Sequence, residues 1–324
     1  MSVAPMMDWT DRWCRMFHRQ FSAHTLLYTE MVTTGAILHG DAKRHLGHDS
    51  TEGPIALQLG GSDPDDLYQA VRIALAFGFD EINLNCGCPS DRVQNGAFGA
   101  CLMRTPDLVA DCVTAMIEAA GDGPQITVKC RIGVDEQEPS EVLPVFVDRV
   151  AKAGVRSFAV HARKAWLQGL SPKENRTIPP LDYELVRDLK RDRPEFEIVL
   201  NGGVETLDQA VGHLESFDGV MIGRSAYHNP ADILTDADRR IFDSDATPVV
   251  AEVAVRKMYD FIENELIVGT RLNQITRHML GAFSGRPGAR RWRRFLSERA
   301  HVAGAGIDVI EAALAEVLPA RAAE

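Results

Sequence analysis

Cys88 has the widest choice of chemistry of any side chain in this sequence. It stands in the stretch Glu81-Ile82-Asn83-Leu84-Asn85-Cys86-Gly87-Cys88-Pro89-Ser90. Ile82 and Leu84 alternate with polar neighbours behind a Gly78-Phe79-Asp80 turn, which is the pattern of a strand. Gly87, Pro89 and Ser90 break that pattern and leave Cys88 on the loop leaving the strand. A soft, ionisable sulfur at such a point is a nucleophile, an acid or a ligand, unless it is merely a small buried hydrophobe. An ordinary thiol is largely protonated at neutral pH, so it can act as an acid where a carboxylate has already ionised. The Cys86-x-Cys88 pair lacks the second pair of a structural zinc site, so Cys86 reads as buried structure and no metal is expected.

Other polar groups recur at the ends of apolar runs. They are Met6-Met7-Asp8, Glu30, Gln58, Asn85, Lys129 with Arg131, His161 with Arg163, Asn201-Gly202-Gly203 and Gly223-Arg224. Each has a dull explanation alone, such as a capped strand or a satisfied buried histidine. One set per run is better explained by an active site.

The runs that must position them are Ser2–Met6, Leu26–Glu30, Ile55–Leu59, Glu81–Leu84, Ile126–Cys130, Ser157–Val160, Glu197–Leu200 and Gly219–Ile222. Helical stretches fall between most of them: Asp63–Phe77, a run opening at Thr105-Pro106, Ser140–Ala153, Asp182–Lys190 and Glu205–Leu214. Strand and helix in alternation predict an α/β fold, a closed (β/α)8 TIM barrel over residues 1–240. No Gly-x-Gly-x-x-Gly follows the first strand, which weakens a doubly wound alternative. Residues 241–324 carry helical patterns only, over Val249–Val268, Arg271–Leu280 and Ile307–Leu318. They predict a small all-helical bundle appended to the barrel.

In a barrel the loops after strands seven and eight frequently hold phosphate. Gly202, Gly203 and Gly223 let backbone approach an anion, and Arg224 adds a charged fork. One ligand that fits is FMN. Lys129 would then place positive charge by the N1–C2 oxygen edge of its ring, Gln58 would bond the ring edge, and Met6 and Met7 would flank it.

The net charge is −11, yet it is uneven: 24 basic against 37 acidic side chains in residues 1–245, and 11 against 9 in 246–324. A local basic face, not bulk charge, decides nucleic-acid binding. Arg286, Arg290, Arg291, Arg293 and Arg294 surround Trp292 within nine residues and are candidates for RNA phosphate. The chain offers no apolar run long enough for a membrane span and no apolar signal core. Its six cysteines lie in no small, loop-rich segment, so a reduced, cytoplasmic setting is expected.

Several phrases together resemble the tRNA-dihydrouridine synthases, and among them the DusA branch. They are Ala4–Thr10, Gln58–Gly61, Asn83–Ser90, Gly99–Met103, Val128–Gly133, His161–Trp166, Leu170–Arg176 and Asn201–Gly203, with the 161–181 stretch and Gly288–Arg294 pointing to the branch. The resemblance implies an FMN barrel with a helical tRNA-binding domain, reducing D-loop uridines at positions 20 and 20a with NADPH. It implies Cys88 as proton donor. It implies flavin contacts from Pro5, Met6, Met7, Gln58, Lys129, His161, Asn201, Gly202, Gly203, Gly223 and Arg224. Asn85 would meet the substrate base. Arg131, Arg163, Lys164, Lys173, Arg176, Arg290, Arg291, Arg293 and Arg294 are the remaining candidates for tRNA. The rivals are a dihydroorotate-dehydrogenase-like flavin enzyme, a non-catalytic RNA-binding barrel, and a phosphosugar isomerase or aldolase using Lys129.

Overall fold

A computed structural model describes residues 1–90 and 96–317. Eight parallel strands close into a barrel in sequence order. They are β1 (Ser2–Val3), β2 (Leu26–Thr33), β3 (Ile55–Gly60), β4 (Glu81–Cys86), β5 (Gln125–Arg131), β6 (Ser157–His161), β7 (Glu197–Asn201) and β8 (Gly219–Ile222). All eight expected runs are strands. β1 is shorter than expected because the chain turns at Met6, whose carbonyl takes the N–H groups of Trp9 and Thr10. β4 and β5 run further than expected, so Asn85 and Arg131 belong to strand ends and not to loops.

The helices form the outer layer. Pro64–Ala74 is capped by Asp63, whose side chain takes the Asp66 N–H. Leu207–His213 opens on a Thr206–Gln209 capping box. The main apolar cluster lies between these helices and the outward faces of the strands, with Leu57, Leu59, Ile82, Leu84, Val128 and Val160 fully enclosed. Inside the barrel the filling is small and partly polar. Ala4, Tyr28, Ala56, Ala159 and Met221 form one patch, and Gln58, Asn83, Asn85 and Thr127 are buried alongside. The alternation in β4 therefore sorts helix-facing residues from barrel-facing ones, with neither set in solvent.

Beyond Ala237–Ile241 the described residues contain helices and no strands. The expected Val249–Val268 helix is two, Ala251–Lys257 and Tyr259–Ile267, divided where the Met258 N–H turns back to Val255. The expected Arg271–Leu280 helix stops at Thr276. Turns follow because Gly281 must lie against the barrel, where an added Cβ would come within 2.3 Å of the His228 carbonyl oxygen. These helices share one apolar cluster with Val3, Leu27, Val220 and Ile222 of the barrel. Glu265 reinforces the junction by accepting from Arg12 at 2.6 Å and from the Trp13 indole at 2.8 Å. We propose that the division near residue 240 is one of architecture, with a core common to both parts.

Trp292 fills the centre of that helical region. It is fully buried, its ring meets Phe283 edge-on at 4.9 Å, and its indole N–H donates to the Met279 carbonyl. Trp292→Ala is expected to lower stability by about 3–5 kcal/mol, read as a fall in the urea midpoint. A change within about 0.5 kcal/mol, the range of an ordinary surface site, would contradict that packing role.

Candidate active site

Strand register alone gathers the polar ends. Gln58 sits opposite Asn83, Asn85 opposite Lys129, Arg131 opposite His161, and His161 opposite Asn201. Parallel neighbours lie about 4.8 Å apart, so Asn85, Lys129, Arg131, His161 and Asn201 form one belt at the C-terminal mouth. Cys88 stands on the rim above it, half-buried.

The Cys88 turn is held through its backbone. The Asn85 side-chain oxygen accepts from the Gly87 and Cys88 N–H groups at 2.9 and 3.0 Å, and the Cys88 carbonyl accepts from Ala100 N–H at 2.9 Å. Among the described residues the thiol donates to the Ser90 hydroxyl alone, 3.5 Å away. Gln58 Nε2 donates to Asn83 Oδ1 at 2.9 Å, and its Oε1 accepts from Asn85 Nδ2 at 2.8 Å. Both groups keep one further bonding capacity for a ligand.

The mouth is strongly electropositive. Lys129, Arg131, Arg163, Arg176 and Arg224 converge on it, and among the described residues none of the five forms an ion pair. Burial, then the Arg131 charge, lowers the Lys129 ammonium to about 8. Burial likewise lowers Arg131 to about 10. His161 is pushed well below the usual imidazole range, by burial first and then by Arg131, Lys129, Arg163 and Arg176, so it is neutral. Uncompensated buried positive charge is costly, and an anion in the mouth relieves it.

His161 gives that statement a pH signature. In the unfolded chain it ionises near pH 6.5, and in the fold well below that. Between these limits the unfolded state holds the extra proton, so stability falls as pH falls. The urea midpoint of the wild type should drop more than that of His161→Gln between about pH 7.5 and about pH 5.5. Equal drops would contradict a neutral, buried His161.

Two features fit the phosphate of a mononucleotide. Arg163 Nε is buried with no hydrogen-bond partner among the described residues, while the same guanidinium donates to the Pro179 carbonyl. Gly202 and Gly203 have φ of +105° and +72°, where an added Cβ would lie 2.3 Å from His161 Cδ2 and 2.4 Å from Leu181 Cδ1. The Gly202 carbonyl is fixed by the Tyr183 hydroxyl at 2.7 Å. Gly223 leads into Arg224, which reaches the Arg176 carbonyl, and a Cβ on Gly223 would touch Met6 Sδ at 3.6 Å. Pro5 and Met6 are half-buried beside these groups, and Met7 is 55% exposed.

The other expected contacts divide. Lys173 and Arg176 are exposed on the loop after β6, and Lys164 lies over the Trp166 ring at 5.4 Å. Asn85 and Arg131 direct their bonds into the protein. Arg131 Nε donates to the Gly87 carbonyl, and one terminal nitrogen donates to the carbonyls of Lys164 and Asn175. The arginine cluster lies on the helix Ala289–Arg299. Arg291 pairs with Glu316 and Arg294 with Glu298, at 2.8 and 2.7 Å. Arg290 and Arg293 are exposed without an ion pair among the described residues.

Residues that sequence reasoning passed over are Asn83, Thr127, Asn175 and Tyr183. Asn83 and Asn175 lay inside phrases singled out above, but residue type does not separate a brace from a ligand contact. Tyr183 opens an ordinary outer helix, and nothing local marks its hydroxyl as facing Gly202.

The dihydrouridine synthase (Dus) family model matches residues 2–318 of this chain. A tRNA-dihydrouridine(20/20a) synthase of Pasteurella multocida is 57% identical over 316 residues, covering 98% of this chain and 95% of that protein. One of Vibrio cholerae is 56% identical over 318 residues, covering 98% and 96%. The old yellow enzyme homologue of Zymomonas mobilis shares the barrel at 17% identity and a TM-score of 0.53, over 78% of this chain and 91% of that one. With a match along nearly its whole length, the chain belongs to the dihydrouridine synthase family.

Proposed function

We propose that this protein is an FMN-dependent tRNA-dihydrouridine synthase that saturates the C5–C6 bond of D-loop uridines at positions 20 and 20a, with NADPH as the reductant. The observation that carries the reading is the mouth itself: cations that form no ion pair among the described residues, an orphaned Arg163 Nε and a half-buried thiol on its rim. Such a site suits a phosphorylated cofactor and an anionic polymer together.

His161, Asn201, Gly202, Gly203, Gly223, Arg163 and Arg224 would hold the FMN phosphate side. Lys129, Gln58, Pro5, Met6 and Met7 would hold its ring. Bound and reduced, FMN supplies a hydride to C6 of the uracil. Cys88 Sγ holds the proton that goes to C5, so one hydride and one proton together complete the saturated bond. Lys129, near 8, is protonated over most of the physiological range and balances negative charge beside it. The uracil must leave its stack to enter the mouth, at a few kcal/mol, least in weakly paired loops. No helix among the described residues is long and apolar enough to cross a membrane, and we place the protein with its tRNA in the cytoplasm.

For RNA beyond the mouth, we assign the unpaired Arg290 and Arg293 ahead of the paired Arg291 and Arg294. Three residues apart, the first two share one flank of their helix. Arg290→Gln with Arg293→Gln should weaken tRNA binding about tenfold and make the log Kd against log salt slope shallower by about 1.5. Arg291→Gln with Arg294→Gln should change the slope by less than half of that. Equal slopes in all three proteins would overturn the assignment.

The reading is tested by the absorption spectrum of the purified protein and by NADPH oxidation with and without unmodified tRNA. A flavin spectrum with product only when tRNA is present supports it. Turnover of free pyrimidine with none on tRNA would favour a small-substrate enzyme.

A further inference from the structure

We propose that Arg131 and Asn85 are positioning residues that clamp the Cys88 turn from two sides, Arg131 also tying that turn to the loop after β6. This rests on the function proposed above, in which Cys88 delivers the proton.

The topology explains why an arginine on β5 can do this. β4 carries the Cys88 turn and β6 carries the 162–176 loop, and β5 lies between them. Arg131 is the last residue of β5 and only 3% exposed. Its Nε donates to the Gly87 carbonyl at 3.0 Å, on one side. A terminal nitrogen donates to the carbonyls of Lys164 at 3.0 Å and Asn175 at 2.9 Å, on the other. With no ion pair among the described residues, the buried guanidinium directs its charge at backbone from both loops. Asn175 is itself fixed: its side chain accepts from Trp166 N–H at 2.7 Å and donates to the Trp166 and Leu170 carbonyls.

Asn85 holds the same turn from below. Its oxygen takes both the Gly87 and Cys88 N–H groups, and its amide is oriented by Gln58, whose own amide is oriented by Asn83 and then by Thr127 Oγ1 at 2.8 Å. Each amide in this buried chain has one orientation that satisfies its neighbours, so Asn85 presents oxygen to the turn. The peptide on the N-terminal side of Cys88 is thus held at its carbonyl by Arg131 and at its N–H by Asn85. Because Lys164, Lys173 and Arg176 lie on the loop that Arg131 also grips, the clamp sets the thiol's place relative to these candidates for tRNA contact. A thiol displaced by about 1 Å can lose on the order of a hundredfold in rate.

The test uses the flavin-loaded protein with Arg131→Lys and Asn85→Ala. It reads flavin content, tRNA affinity, single-turnover dihydrouridine formation at saturating tRNA, and iodoacetamide alkylation of Cys88 with Cys101 as internal reference. A clamp predicts flavin content and tRNA affinity within about twofold of wild type, with single turnover slowed at least about tenfold. It also predicts that the Cys88-to-Cys101 alkylation ratio shifts about threefold or more in both variants. Weaker tRNA binding with an intact saturated rate in Arg131→Lys would make Arg131 a phosphate contact and overturn the proposal. An unchanged alkylation ratio in Asn85→Ala, which leaves every charge in place, would also overturn it. Alkylation needs no turnover. A wild type that formed no dihydrouridine would therefore count against the reaction, while the ratio alone decides the clamp.

Discussion

Cys88→Ala is expected to bind FMN and accept electrons from NADPH at the wild-type rate, and to form dihydrouridine roughly 10²–10⁴-fold more slowly. The asymmetry follows from where the thiol stands. Among the described residues it bonds only to the Ser90 hydroxyl, and its turn is held through backbone atoms. Deleting Sγ therefore removes a proton source while leaving the belt of Lys129, Arg131, His161 and Asn201 in register. Cys88→Ser separates acid strength from shape, because a hydroxyl fills similar space and gives up its proton far less readily. It should resemble Cys88→Ala in single turnover at neutral pH. Single-turnover product at the wild-type rate from either variant would remove Cys88 from the chemistry.

Gly202→Ala is expected to purify with flavin occupancy lowered about tenfold or more, the second large effect. At φ +105° an L side chain is strained by about 1–3 kcal/mol, and its Cβ would have to displace the His161 ring from 2.3 Å. His161 is neutral and enclosed at 9% exposure, so the ring has little room to retreat. Loss should appear in the visible spectrum and in the FMN dissociation constant, with tRNA binding through Arg290 and Arg293 retained. Full occupancy in a folded Gly202→Ala would show that this turn packs His161 and does not cradle phosphate.

The barrel was legible because a parallel strand is covered on both faces, so each one reads as a short apolar run between helices with capping signals. Ile55–Leu59 and Ser157–Val160 are such runs, and both are strands buried end to end. The gathering of polar residues at one end was legible for a related reason. Parallel register places strand-end residues side by side, whatever their separation in sequence. What each polar group touches was not legible. Arg131 and Arg163 look alike in sequence, two cations at neighbouring strand ends. In the fold one satisfies three backbone carbonyls and the other keeps a buried donor without a partner. Nor does an asparagine announce whether its amide faces a ligand or, as with Asn85, its own following turn. The helical region was legible as helical, but its breaks depend on tertiary contact. The helix ending at Thr276 gives way to turns where Gly281 meets the His228 backbone, 53 positions earlier in the chain.

The most direct measurement is nucleotide-resolution mapping of dihydrouridine in an unmodified tRNA carrying uridines at 20 and 20a, after incubation with the purified protein, FMN and NADPH. New dihydrouridine is expected at those positions, formed roughly 10²–10⁴-fold more slowly with Cys88→Ala. Uridines left intact by flavin-loaded wild type that still oxidises NADPH and binds the tRNA would contradict it.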